Sequence, residues 1–326
     1  MSKKNAAVAA VLVVIAAGFL LFWKKPAGTN QPKKNFVVGV VSFGGAHKEV
    51  ISGLVEGMKA LGYIEGVNIV YEIVDAGGSD EKARQAAEKF LDKNVDAVYS
   101  ASTPVTKQAA EVIKTIPIVF NIVSDPVAAG FAKSMLSSGT NLTGCSNYVG
   151  QTGPKRLEIL NEILPQAKNV LVIYDPDNSF SEQALKTLQE GGTEALGIKI
   201  TARAIHSKDE VIQVMKSLAP GEFDAFFHLG EAKVSAASEA VIAAANYIKL
   251  PTIAHEESLV RRGMLAAYGP SWQALGRQCA ATLDKVLKGV KPAEIPIQIP
   301  ERIELTVNLK TAKALGLTIP EKILFS

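Results

Sequence analysis

The chain has 326 residues, 48% of them hydrophobic and 21% charged, with a formal net charge of +3. That length suits two cores better than one, and the composition excludes long disorder. Six lysines and no acid fall in the first 35 residues, which leaves the remainder mildly acidic, without the clustered positive charge that a nucleic-acid partner demands.

The first element is Ala6 to Trp23, AAVAAVLVVIAAGFLLFW, an 18-residue run without a charge and with lysines on both sides. It is longer than the roughly 7–15 residues of a cleavable signal core and reaches the lower limit for a membrane-spanning helix. A retained signal anchor is expected, with the body facing the periplasm or cell exterior. Cleavage near Ala16 to Gly18 is the alternative, which would release the body to the periplasm. No Cys follows the run, which excludes a lipoprotein anchor. Residues 24–35, KKPAGTNQPKKN, are polar with two prolines and read as a tether.

From residue 36 short apolar runs alternate with amphipathic stretches. FVVGVVS (36–42) precedes a helix with Val50, Ile51, Leu54, Val55, Met58 and Leu61 on one face. VNIVYEIV (67–74) precedes helix 79–93, VDAVYS (95–100) precedes helix 104–114, and IPIVFNIV (116–123) precedes a helix near 127–137. After TNLTGCSNY and helix 152–164 a second series begins. It pairs NVLVIYD (169–175) with helix 180–196, IKITARAI (198–205) with helix 208–218, FDAFFHLG (223–230) with helix 233–248, and ends on LPTIAHE (250–256). Strand 263–269, helix 271–288 and an extended return over 295–308 follow. Nearly continuous Val/Ile-rich strands separated by helices predict parallel sheets covered on both faces, and two series predict two doubly wound lobes. Cys279 shares the apolar side of helix 271–288 with Trp272, Leu275, Leu283 and Val286, so it and Cys145 are expected as packed free thiols.

Ligands of open parallel sheets bind beyond the carboxyl ends of the strands. The polar residues placed there are therefore the candidates. Ser102 or Thr103 can cap a helix whose first turn holds Pro104, and the free N–H groups there attract an anion; an ordinary cap explains the same residues. Asp125 can likewise cap a turn or hold an ammonium. Phe43, Tyr174 and Tyr268 share the strand-end position and are expected to sandwich an apolar or aromatic side chain; core packing is the alternative for each. No G-x-G-x-x-G, Walker or G-x-S-x-G motif occurs, and no two of His47, His206, His228 and His255 have metal-ligand spacing. No cofactor, metal or catalytic centre is expected, though His255 beside Glu256 is placed to contact a ligand.

GVVSFG, EGMKALGYIEGVNIVYE, STPVTKQA, IPIVFNIVSDPVAAGF, SSGTNLTGCSNY, RLEILNEILPQAKNVLVIYDPDN and TVNLKTAKALGLTIP resemble, in unbroken order over residues 36 to 321, the ABC-transporter substrate-binding family that includes tryptophan- and tyrosine-type binding proteins. The resemblance implies a type I periplasmic-binding-protein fold, with two lobes joined by three crossovers and a small solute between them. It implies no catalysis, a monomer, and delivery to an ABC permease with its ATPase. The lobes are expected as 36–147 plus 269–293 and 148–268 plus 294–326, after the anchor and tether of 1–35. Carried over position by position, it puts Ser42, Phe43, Ser102, Thr103, Ser124 and Asp125 on the first lobe's wall. Asn147, Tyr174, Glu231, Glu256 and Tyr268 come from the second lobe and hinge. Ser102 and Thr103 would hold a solute carboxylate and Asp125 its ammonium. One departure is that Gly230-Glu231-Ala232 stands where relatives commonly carry an Asp-Asn pair, which bears on the ligand class. The expected ligand is an amino acid, aromatic or otherwise, or a related small carboxylate. Ligand sensing for a signalling system is the alternative function.

Overall fold

The computed structural model describes residues 35–324, apart from the side chains at 46 and 191–195. Ala6 to Trp23 lies outside the described residues, and among these no helix is long and apolar enough to cross a membrane.

Five strands form the first sheet: Phe36–Ser42 (β1), Ile69–Asp75 (β2), Ala97–Ala101 (β3), Ile118–Val123 (β4) and Leu142–Ser146 (β5). All pairs are parallel and the order is β2-β1-β3-β4-β5. Lys48–Ala60 (α1), Asp80–Asp92 (α2) and Thr103–Val112 (α3) connect them. The reasons are local. In α1 the stripe Val50, Ile51, Leu54 and Met58 is buried, and α2 starts where Ser79 accepts a bond from the Lys82 N–H, with Asp80 and Glu81 at the positive end of the helix dipole.

The second sheet takes Asn169–Tyr174 (β6), Lys199–Ala204 (β7), Ala225–Phe227 (β8), Thr252–Ala254 (β9), Ala266–Gly269 (β10) and Glu304–Val307 (β11). Its order is β11-β10-β9-β8-β6-β7, parallel except for β11. Around it lie Val149–Ile163 (α4), Ser179–Leu196 (α5), Lys208–Ser217 (α6), Ala232–Ala236 (α7), Ser238–Tyr247 (α8) and Glu257–Arg261 (α9). Trp272–Leu287 (α10) returns to the first lobe and lies against α1. The two axes come close because Gly57 and Gly276 present no Cβ; one built on Gly276 would lie 2.1 Å from the Val50 carbonyl oxygen. Leu309–Ala314 (α11) and Glu321–Leu324 (α12) close the second lobe, with Ala312 and Ile323 in its core.

Four expectations change. Residues 127–137 form turns and not a helix: the N–H groups of Phe131 and Ala132 both reach the Pro126 carbonyl, and Gly130 at φ 75° reverses the chain. Residues 142–146, within the TNLTGCSNY stretch that the sequence pattern leaves outside both strand series, are the edge strand β5. Helix 233–248 divides into α7 and α8 at Ala237. The return after 294 borders the first lobe before the second: Ile297 donates to the Met135 carbonyl at 2.8 Å and Gln298 to Gly144 at 2.9 Å. The crossing therefore follows Gln298. Both cysteines are free and buried, with the Cys279 thiol facing the Phe120 carbonyl.

Candidate interlobe binding site

In an open sheet the crevice lies where strand order reverses. That reversal falls between β1 and β3 in the first sheet and between β6 and β8 in the second. Both reversals meet at one cavity. From the first lobe it is lined by His47, Ser102, Thr103, Ile122, Ser124 and Asn147. Asn178, Phe180, Gly230, Ala232, Ser235 and His255 face them from the second, and Trp272 closes one side from the start of α10. The cavity's volume is only about 10 Å³. That is room for about one water, so the walls stand nearly together and a solute must enter while they are apart.

Two backbone distortions aim side chains inward. Ser102 has φ 117° and ψ 160°, a region that is costly for any residue with a Cβ. It is held by its N–H on the Asn121 carbonyl (2.9 Å) and by its own carbonyl, which accepts both the N–H (3.1 Å) and the hydroxyl (2.7 Å) of Thr106. Ile122 sits at φ 51° in a bulge between β4 and β5, braced by Asn121, whose Nδ2 reaches the Tyr99 hydroxyl at 2.6 Å. The result leaves the Ser102 hydroxyl and the start of α3 at Thr103 beside the cavity.

Four buried polar atoms of the lining have no partner among the described residues: Ser102 Oγ, His47 Nδ1, His255 Nδ1 and Trp272 Nε1. Buried polar groups are nearly always paired, so four orphans on one cavity mark a surface shaped for something that brings its own donors and acceptors. The rings form a chain. His47 stacks on Trp272 with centroids 5.0 Å apart, Trp272 meets His255 at 5.3 Å, and His255 meets His228 at 4.6 Å. Burial pushes the imidazoles down, His47 to about 4, His228 to about 3 and His255 well below its ordinary value, so all three are neutral hydrogen-bonding groups at neutral pH.

Among the described residues no Asp, Glu, Lys or Arg lines the cavity. Glu231 lies one bond behind it: its carboxylate accepts from Asn178 Nδ2 at 3.2 Å and from the Lys233 N–H at 3.1 Å, and burial raises its pKa. A groove of about 230 Å³ adjoins the cavity through Thr103 and Asn178 and contains Asp80, Lys107, Asp175, Asp177 and Lys233. The lobes also meet outside the site, where Arg261 of α9 pairs with Glu49 of α1 and Gly45 lies against Ser235 and Ala236 of α7. Ligand atoms of Asp175, Asp177 and His206 come within 4.8 Å of one another, but Lys233 already holds Asp175 and His206 holds Asp177. The cluster is thus compensated by its own neighbours.

A family model for ABC transporter substrate binding proteins matches residues 37–326. The chain belongs to that family. This substrate-binding protein is 30% identical to a tyrosine-binding protein of Clostridioides difficile over 265 residues, 81% of this chain and 76% of that one. Among solved structures it is similar to the ABC domain from Streptococcus pneumoniae in complex with L-Trp, at a TM-score of 0.80 and 23% identity, covering 90% of this chain and 98% of that one. A ligand-free, open structure of a substrate-binding protein with adhesive properties from Clostridium difficile aligns at a TM-score of 0.62 and 29% identity, over 87% and 96% of the two chains.

Of the residues the sequence nominates in this substrate-binding protein, Ser102, Thr103, Ser124 and Asn147 line the cavity. The others stand elsewhere, each for a physical reason. Ser42 is the buried end of β1, paired with Asp75 and Ala101. Phe43 is wholly buried in the first lobe's core with Phe90 and Phe120. Asp125 caps the turn that follows β4, accepting from the N–H groups of Val127 (3.0 Å) and Ala128 (2.9 Å). Tyr174 and Tyr268 share strand faces with Val172 and Ala266 and, half-buried, pack against the second lobe's core and not on the cavity, because side chains alternate along a strand. Glu256 caps α9 through the N–H groups of Ser258 (2.7 Å) and Leu259 (3.2 Å), and burial raises its pKa to about 7. Glu231 is the nominated acid that touches a lining side chain.

The cavity also uses His47, Ile122, Asn178, Phe180, Ser235 and Trp272, which sequence reasoning did not select. Trp272 carries a helical-spacing signal indistinguishable from core. Asn178 ends the D-P-D-N turn after β6 and Phe180 lies two residues beyond it, so their strand-end position is the available signal.

Proposed function

We propose that this protein is the extracytoplasmic solute-binding component of an ABC importer, closing its lobes on an aromatic amino acid or a related small aromatic carboxylate and presenting the closed form to a permease. The carrying observation is the set of four unpaired polar atoms on one interlobe cavity. Ser102 with the α3 N-terminus suits a carboxylate, Asn178 backed by Glu231 suits an ammonium, and Trp272 with Phe180 suits an aromatic ring. These aromatics replace Phe43, Tyr174 and Tyr268, and Glu231 replaces Asp125 as the acid. The tyrosine-binding relative supports the ligand class. Cross-lobe contacts at Glu49–Arg261 and Gly45 support a closed arrangement, as does the lower shape similarity to an open chain of nearer sequence. Binding favours closure by the difference in solute affinity between the two states.

Ala6 to Trp23 is proposed to tether the protein outside the membrane. Calorimetry and thermal shift of the full-length protein with L-tyrosine and L-tryptophan test the ligand class. Saturable binding with a raised melting temperature is expected. No binding of either, with a shift from non-aromatic solutes alone, would refute it.

A further inference from the structure

Arg156, on α4, is a buried cation without a counter-ion among the described residues. Only 1% of it is exposed; its Nη1 donates to the His228 carbonyl at 2.8 Å, its guanidinium lies 4.7 Å over the Phe227 ring, and its Nε has no partner. Among the described residues its polar partner is that carbonyl, and no carboxylate pairs with it. Burying a charge without an opposite one is strongly unfavourable, and proteins that do so supply the opposite charge from elsewhere.

The place from which it can be supplied is close at hand. The segment that holds Arg156, His228 to Gly230, is a wall of the interlobe cavity: Gly230 lines it, and the His228 ring lies 4.6 Å from that of His255, which lines it too. α4 begins at this same wall, where Val149 lies against Gly230 and the Asn147 side chain accepts from the Val149 N–H. The start of α3 borders the cavity at Ser102 and Thr103, and no acid of the described residues lines it. Consistently, the charge of Arg156 adds to burial in holding His228 and His255 neutral.

We propose that Arg156 is a specificity-determining positioning residue, whose guanidinium behind the His228–Gly230 wall supplies the counter-charge for the solute's carboxylate and makes the cavity prefer an acid to its neutral amide. The proposal rests on the solute-binding reading above. It differs from direct recognition because Arg156 is not a lining residue and acts through the wall.

The test compares L-tyrosine with L-tyrosinamide by calorimetry on full-length wild type, Arg156→Lys and Arg156→Met. Wild type and Arg156→Lys are expected to prefer the acid by about tenfold or more, and Arg156→Met to lose about tenfold for the acid with little change for the amide. A purely packing role would weaken both ligands equally in Arg156→Met, and that result overturns the inference while leaving the ligand class intact. Should Arg156→Met not fold, Thr152→Asp, one helical turn before Arg156 on α4, provides an internal counter-charge with the arginine in place, and the acid preference is expected to fall in the same way. An unchanged preference there overturns the inference. If wild type binds neither tyrosine nor its amide, the amino-acid reading fails by itself. Thermal shift with benzoate and benzamide then decides: stabilisation by benzoate alone, lost in Thr152→Asp, supports the role of Arg156, and equal effects refute it.

Discussion

Ser102 joins backbone strain to solute binding, so two substitutions there separate stability from affinity. Its φ of 117° and ψ of 160° lie where glycine alone is comfortable, at a cost of about 1–3 kcal/mol for a residue with a Cβ. Ser102→Gly relieves that cost and gives back about 0.5–1 kcal/mol through the more flexible unfolded chain. The net gain is about 1 kcal/mol, which raises the unliganded melting temperature by about 2 °C in a chain of this size. Ser102→Ala keeps the strain and leaves the unliganded melting temperature within about 1 °C. Both lose the hydroxyl, which lies unpaired on the cavity. A hydrogen bond to a charged carboxylate is worth about 1.5–3 kcal/mol, so each is expected to bind L-tyrosine at least tenfold more weakly. Scanning calorimetry of the unliganded proteins and titration calorimetry with L-tyrosine measure the two effects. If Ser102→Gly melts lower than wild type, the backbone at Ser102 is not strained; if both variants bind as wild type does, Ser102 is not a binding group.

Three further outcomes are expected. Gly45→Ala places a Cβ 2.2 Å from the Ser235 carbonyl oxygen of the opposite lobe, so it should hold the lobes apart, cutting affinity by about tenfold or more and keeping the radius of gyration of the solute-saturated protein at its unliganded value in small-angle scattering. Unimpaired binding would show that the lobes do not close on this contact. Trp272 is one of two tryptophans in the chain and lines the cavity, so L-tyrosine should change the emission of wild type but not of Trp272→Phe, and an undiminished signal in the variant would remove Trp272 from the site. Burial holds His47 at about 4 and His228 at about 3, below an unfolded value of about 6.5, so between pH 6.5 and 4 the unfolded chain takes up protons that the folded one refuses. Stability therefore falls as pH falls through that window. Glu256, raised to about 7, acts in the opposite direction between pH 4.5 and 7 and offsets part of the fall. A melting temperature that rises from pH 6.5 to 4.5 would contradict the neutral, buried state of these imidazoles.

The alternation of strands and helices was legible because parallel strands buried on both faces are continuous apolar runs, and amphipathic helices repeat at their own period. Leu142–Ser146 escaped notice because LTGCS is short and includes Gly144, whose missing Cβ lets β5 lie against Phe120. At the site, sequence reasoning located the strand ends but not the direction of each side chain. Phe43 and Ser124 occupy equivalent positions after their strands, yet one turns into the core and the other towards the cavity. That difference depends on the bulge at Ile122, a backbone event without a glycine to announce it. Asp125, for which a turn cap is one of the two sequence readings, and Glu256, which the resemblance puts on the cleft, each hold N–H groups of their own turn or helix.

The order in which the polypeptide visits its two halves bears on how it is made. Strand β5 receives its last neighbour from Gln298, and α1 is covered by α10, so the half that is synthesised first stays unfinished until nearly the whole message has been translated. The nascent chain would expose Leu54 and Met58 for most of that time, in the manner of proteins whose long-range pairing makes assembly slow and invites aggregation. Premature stop codons near position 270 should thus damage the N-terminal half, although every residue of its sheet is still present.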